Sequence, residues 1–268
     1  MTLVLVHGSG PNDADETLGP NKLFKDLAWG LATRKVAVLR YEKRARQHRG
    51  KLSNADIATV KEETTDDALS AVAALAAVKE LDDKRLFIVG HSLGAGLAPR
   101  MAAADPRVHG VVLLAGSTRR QWHLVVEQYR YLAGLAPPSE AGAAAIRRAE
   151  ENARKLDDPR LQPGEVVDGI PATYWLDLRQ EEPAQTAAKL AVPILVLQGE
   201  RDYQVTMTDF AGWKKALGAR KNATLQSYPA LNHHFMPGTG KSTPAEYQQP
   251  NHVPVEVIDE LAKWLRSK

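Results

Sequence analysis

Residues 86–104 read LFIVGHSLGAGLAPRMAAA. Four apolar residues, two of them β-branched, run into Gly90-His91-Ser92-Leu93-Gly94, and an alanine-rich stretch follows. The apolar run suits a strand buried on both faces, and the alanine-rich tail suits a helix. Between them lies G-x-S-x-G, the sharp strand-to-helix turn that presents a serine at its tip. The turn demands small neighbours, because side chains at 90 and 94 would collide with the strand and the helix. A serine hydroxyl is a weak nucleophile at neutral pH, so Ser92 requires a base.

Five further strand signals flank this one: LVLV at 3–6, VAVL at 36–39, VVLL at 111–114, ILVL at 194–197 and ATLQSY at 223–228. The last alternates, as an edge strand does. Helical patterns lie between them. One begins at Lys22, with apolar residues at 23, 24, 27, 28 and 31. A second, DDALSAVAALAAVKEL from Asp66, follows two threonines expected to cap it. A third begins at Asp209, and VIDELAKWLRS closes the chain. Strand–helix alternation predicts an α/β fold with a mostly parallel sheet of about six strands. From 119 to 189 no strand signal interrupts the helical pattern, and the length exceeds an ordinary crossover. The expected organisation is a core of 1–118 and 190–268, with 119–189 a helical lid inserted after the third-from-last strand.

In the chain order of such a fold the serine is followed by an acid and then a histidine. Asp202 lies on the turn just past ILVL, and Glu200 and Asp209 compete with it. Asp202 is the best placed, since a residue further into the helix is carried away from the strand end. After the last strand, LQSYPALNHHFM supplies His233 and His234. Adjacent residues point different ways, so one of the two is the base and the other is a lining or loop residue. An oxyanion hole needs two amides. One belongs to Leu93, after the nucleophile. The other comes from His7-Gly8-Ser9-Gly10, behind the first strand, with Ser9 the first choice and Gly10 next. His7 itself reads as structural, steadying the turn by a hydrogen bond. The stretch Gly10–Lys22, GPNDADETLGPNK, leads from this turn into the first helix. Its acids Asp13, Asp15 and Glu16 are expected to brace the loop through hydrogen bonds and ion pairs, in part with the basic run at 40–51.

Taken together, these elements resemble the α/β-hydrolase superfamily over essentially the whole chain. More narrowly, HGSGPNDADETLGPNK, GHSLG, GERD and LNHHF are similar to motifs of bacterial short-chain carboxylesterases. The resemblance implies esterase activity on short acyl chains through Ser92, Asp202 and His233, and it selects His233 over His234. It also implies that the first two of the usual eight strands are absent here. VAVL then lies near an exposed sheet edge, which a loop or a homodimer would cover.

The 268 residues are 44% hydrophobic and 25% charged, ordinary for a globular chain with a sizeable core. There is no cysteine, which excludes disulfides and thiolate metal sites. No His/carboxylate spacing suggests a metal, and no cofactor is expected. A net charge of +3 is too small to argue for nucleic acid. No stretch is long enough to span a membrane, and MTLVLV lacks the basic start of a signal peptide. A cytoplasmic location is the expectation, with a removed leader the rival. The run RYEKRARQHRGK at 40–51 reads as a solvated loop. Its alternative role is to hold a phosphate-bearing substrate, which would make the protein an acyl-CoA thioesterase on the same triad. Perhydrolysis or C–C bond hydrolysis at that triad, and a non-catalytic binding module, are the more distant alternatives. Trp122, His123, Tyr41 and His234 are the candidate substrate-lining residues.

Overall fold

A computed structural model describes residues 1–51, 58–82 and 84–268. Six strands form the central sheet: β1 (Thr2–Val6), β2 (Ala37–Leu39), β3 (Leu86–His91), β4 (Val108–Leu114), β5 (Ile194–Gly199) and β6 (Ala223–Tyr228). Their order is β6-β5-β4-β3-β1-β2, and every neighbouring pair is parallel. The two outermost strands follow from their residues. Along β6 half-buried and exposed positions alternate, whereas β1, β3 and β5 are buried throughout. The short β2 is the opposite edge.

Strand side chains alternate between two apolar layers. Leu3, Leu5, Phe87, Val89, Leu195 and Leu197 pack with helices α1 (Leu23–Ala32) and α9 (Val255–Arg266). Val4, Val6, Leu86, Ile88, Ile194 and Val196 pack on the other face with α2 (Asp66–Ala76), α3 (Leu93–Ala104) and α8 (Met207–Leu217). Each such side chain contributes about 1.5–3 kcal/mol by leaving water, which is why the strands read as unbroken apolar runs.

Thr64 and Thr65 do not cap α2. Thr65 already has helical angles (φ −68, ψ −45), and its side chain makes no cap hydrogen bond. A capping side chain requires an extended backbone. Here a wide π turn over Lys61–Thr65 leads straight into the helix.

Between β4 and β5 the chain forms α4 (Gln121–Ala133), α5 (Glu140–Asp157), α6 (Ala172–Arg179) and α7 (Pro183–Lys189), with a two-residue ribbon pairing Val166–Val167 to Ile170–Pro171. Trp122, Val126, Leu156, Trp175 and Leu178 of this segment belong to the same apolar layer as Val4 and Ile88. The insertion is therefore packed onto the core. Among the described residues, no helix is long and apolar enough to cross a membrane.

Candidate active site

Because the strands are parallel, the loops after β1, β3, β5 and β6 all emerge at one rim of the sheet, the usual place for a site in such folds. They meet around a cavity of about 270 Å3. Gly8, Ser9, Asn12, Glu16, Thr17 and Leu18 come from the first loop, His91 and Ser92 from the second, Gln204 from the third and His233 and His234 from the fourth. Gln121, Val125 and Gln128 of α4 complete the lining.

Ser92 sits in a tight turn at φ 52, ψ −116, outside the usual territory of a side-chain-bearing residue. Its amide donates to the Leu114 carbonyl at 2.9 Å, and its carbonyl accepts from Gly96. Ala115, next along β4, is also left-handed at φ 49. The flanking glycines are steric requirements. A Cβ on Gly90 would lie 2.3 Å from the Gly94 carbonyl oxygen, and one on Gly94 would lie 2.3 Å from that of Val6.

Asp202 is buried, and its position is over-determined. Its Oδ1 accepts from the Gln204 and Val205 amides at 2.7 and 3.0 Å. Its Oδ2 accepts from Gln198 Nε2 at 3.1 Å and lies 2.6 Å from His233 Nδ1. Since a carboxylate can only accept, His233 Nδ1 is the donor of this contact, and Nε2 is the ring nitrogen turned from it. Gly199 lets the two loops touch, since a Cβ there would fall 2.5 Å from the Leu231 carbonyl oxygen. Asn232 shapes the histidine turn: its Oδ1 accepts from the His234 and Met236 amides at 3.0 and 3.1 Å, and Phe235 takes φ 57. No hydrogen bond joins Ser92 to His233 among the described residues. Such contacts commonly tighten only when substrate binds.

The rival carboxylates have other partners. Glu200 is exposed and accepts from Ser227 Oγ at 2.7 Å. Asp209 is fully buried at the start of α8, where it accepts from the Thr118 amide (2.9 Å) and from Arg119 Nη2 (2.8 Å).

The loop after β1 is braced by its acids. Asp13 accepts from the Thr17 amide at 2.9 Å, and Asp15 pairs with Lys22 at 2.9 Å and with Arg40. Glu16, 3% exposed and at φ 50, accepts from the Gly8 amide at 2.6 Å. The Gly8 N–H is thereby occupied. The Ser9 and Leu93 amides have no protein partner among the described residues. Lys43 is buried, donates to the Gly8 carbonyl at 3.1 Å and pairs with Glu63 at 2.5 Å. Among the described residues neither His7 ring nitrogen has a well-formed hydrogen bond, contrary to the sequence expectation. The ring packs instead against Phe24 and Tyr41, with ring centres 4.9 and 5.1 Å away. Burial, aided by Lys43, outweighs Glu16 and lowers the His7 pKa to about 4.

The alpha/beta hydrolase family model matches residues 3–255. The chain belongs to the alpha/beta hydrolase family. It is 41% identical to esterase EstD of Thermotoga maritima over 98% of its own length and 61% of that protein's. It is 27% identical to a monoacylglycerol lipase of Mycolicibacterium smegmatis over 68% of its own length and 62% of that protein's. The chain thus spans about three-fifths of the length of these curated relatives. Among solved structures it is similar to Est1E of Butyrivibrio proteoclasticus with ferulic acid bound. That match has a TM-score of 0.63 and 16% identity, covering 100% of this chain and 90% of that one.

In this alpha/beta hydrolase, three of the four expected lining residues lie away from the Ser92 cavity. Trp122 donates to Asp157 at 2.8 Å and faces a separate apolar pocket with Trp175 and Leu156. His123 points to the opposite side of α4, 3.1 Å from Asp157 Oδ2 over an open groove. Tyr41 is packed beneath the β1 loop against His7. Helical direction decides the first two: Gln121, Val125 and Gln128 share one stripe by their spacing of four and three, and positions 122 and 123 fall off it. That spacing was the available signal for the glutamines. His234 does line the cavity. Burial, reinforced by His91 and His233, pushes its pKa down to about 3. The Gln121 and Gln128 amides tie α4 across the site, donating to Ser9 Oγ at 2.8 Å and to the Gln204 carbonyl at 3.0 Å.

Proposed function

We propose that the protein is a carboxylesterase-type serine hydrolase that cleaves short-chain carboxylic esters through Ser92, Asp202 and His233. The observation carrying this reading is the 2.6 Å contact between Asp202 and His233, beside a cavity that Ser92 enters from a strained turn. His233 takes the Ser92 proton as Oγ bonds to the ester carbonyl carbon. Asp202 fixes the tautomer and steadies the imidazolium. The Leu93 and Ser9 amides receive the oxyanion, each worth about 10²–10³ in rate by analogy with measured holes. The C–O bond to the alcohol breaks as His233 returns its proton to the leaving oxygen. Water, deprotonated by the same histidine, then releases the acid and frees Ser92.

The cavity bears on the substrate. It is small, and Asn12, Thr17, Gln121, Gln128 and Gln204 give it a polar wall, with Leu18 and Val125 its apolar members. Such a site suits a short acyl group and a hydroxyl-bearing alcohol. A phosphate-bearing thioester is less well served. Arg40, Lys43, Arg44 and Arg46 of the basic run are already paired with Asp15, Glu63, Asp67 and Glu42.

The test is ester turnover by wild type and Ser92→Ala on p-nitrophenyl acetate, butyrate and decanoate, beside an acyl-CoA and a glycerol acetate. Wild type should prefer acetate, and fluorophosphonate should label it at Ser92. Ser92→Ala should lose at least about 10³-fold in kcat. Full turnover by Ser92→Ala would overturn the assignment.

A further inference from the structure

His91, the residue between Gly90 and Ser92 in the turn, is buried with both ring nitrogens facing oxygen atoms. Its Nε2 lies 3.0 Å from the His233 carbonyl oxygen, which can only accept. Its Nδ1 lies 3.1 Å from Glu16 Oε1, an ion-pair contact off the hydrogen-bond line. That same oxygen already accepts from the Gly8 amide at 2.6 Å. A neutral imidazole can satisfy only one of these nitrogens as a donor.

We infer that His91 is an imidazolium paired with an ionised Glu16, and that this buried pair is a positioning device joining the oxyanion loop to the loop of the catalytic histidine. Glu16 occupies the Gly8 amide, which leaves the amides of Ser9 and Gly10, without a protein partner among the described residues, as the free donors next along the loop. His91 holds the backbone of His233 itself. A single pair therefore sets two parts of the site against Ser92, its chain neighbour. The pair also solves an electrostatic problem. Glu16 lines the cavity where an oxyanion would form, and among the described residues its Oε2 is buried without a partner. A lone carboxylate there would oppose the developing negative charge, whereas one neutralised by His91 does not.

The charged surroundings agree. Glu16 comes from the loop after β1, Asp202 from the loop after β5, and His233 and His234 from the loop after β6, with ring centres 4.7 and 5.2 Å from His91. His7 and Lys43 stand behind Glu16 and Gly8. Burial by itself would raise the Glu16 carboxyl, but His91, then His7 and His234, outweigh it and hold it at about 2. Burial works to lower the His91 pKa, and Glu16 reverses the sign, leaving it raised.

The proposal presupposes the Ser92 chemistry above, and its test separates the two. In protein labelled with 15N-histidine, the His91 signal is assigned by its absence in His91→Asn. Both ring nitrogens should be protonated in wild type at pH 7, and Glu16→Gln should convert the ring to the neutral form. Glu16→Gln keeps an acceptor for the Gly8 amide but removes the charge. It should lower kcat, and the rate of fluorophosphonate capture at Ser92, by about 10- to 100-fold with KM changed less than about threefold. A neutral His91 in wild type would overturn the proposal, and so would Glu16→Gln with wild-type kcat and capture rate. The wild-type spectrum requires no ester to be turned over, so it decides the ion pair even if the hydrolase assignment fails.

Discussion

Ser92 is held by its neighbours more than by itself. Its turn closes only because positions 90 and 94 lack a Cβ, and the carbonyls of Val6 and His7 press directly on Gly94. Gly94→Ala places its methyl against backbone, which cannot rotate away. Destabilisation of about 3 kcal/mol is expected in urea titration, together with loss of activity. A variant with wild-type midpoint would mean the turn is looser than described. At this scale the sequence was informative where chemistry depends on chain order. The contact of Asp202 with His233 follows from both residues standing just past adjacent strands. It was uninformative where orientation decides. Trp122 and His123 sit next to Gln121 in sequence, yet 100° per residue of helical rotation turns them away from the cavity. The Glu16–His91 contact joins residues 75 positions apart through a loop of irregular backbone, for which no periodicity exists to be read.

The elements explain what was legible in the fold. Apolar runs buried on both sides name the inner strands, and the alternating ATLQSY names an edge. Helix starts were less legible, because Thr64 and Thr65 have capping side chains but lie in a turn that is already helical. The insertion's attachment was hidden for another reason. Asp209 resembled a spare acid of the site, but it anchors the segment after β4 through Thr118 and Arg119, and Arg119 also pairs with Glu127 of α4 at 2.5 Å. Asp209→Ala leaves Arg119 short of a buried partner and frees the base of α4, the helix that roofs the cavity. A cost of about 3 kcal/mol is expected by thermal or chemical denaturation. Faster amide exchange is expected in α4 than in β4. Equal exchange protection of α4 in the variant and wild type would contradict the anchoring role.

For the whole molecule, three buried histidines set the response to pH, and they act in opposite senses. His7 and His234 have folded values near 4 and 3, whereas the unfolded chain binds these protons near about 6.5. Between those values the unfolded state holds more protons, so stability falls as pH drops from about 6.5 towards 4. Glu16 adds to the acid loss. Its folded value is about 2, so its contribution is present above the unfolded carboxylate range and is lost as pH falls from that range through about 2. His91 is raised, so its contribution is full below the unfolded histidine value and is lost as pH rises through the folded one. Calorimetry should find maximal melting temperature near neutrality and a decline from pH 7 to 4, which His7→Phe makes shallower. A melting temperature unchanged over that range would refute the account.

Four residues on the loops that leave this rim of the sheet share one backbone property: Glu16, Ser92, Ala115 and Phe235 all carry positive φ although none is glycine. Each such conformation costs on the order of 1–3 kcal/mol. Together they are comparable with the whole net stability of an ordinary domain, about 5–15 kcal/mol. Glycine would relieve the backbone strain at each point, but at Phe235, 1% exposed, and at Glu16 it would also remove buried contacts that hold the fold. Keeping side chains there means that the two apolar layers flanking the sheet hold a sprung rim in tension. Part of the gain from burying the core is thus held as backbone strain in the loops that carry the proposed site.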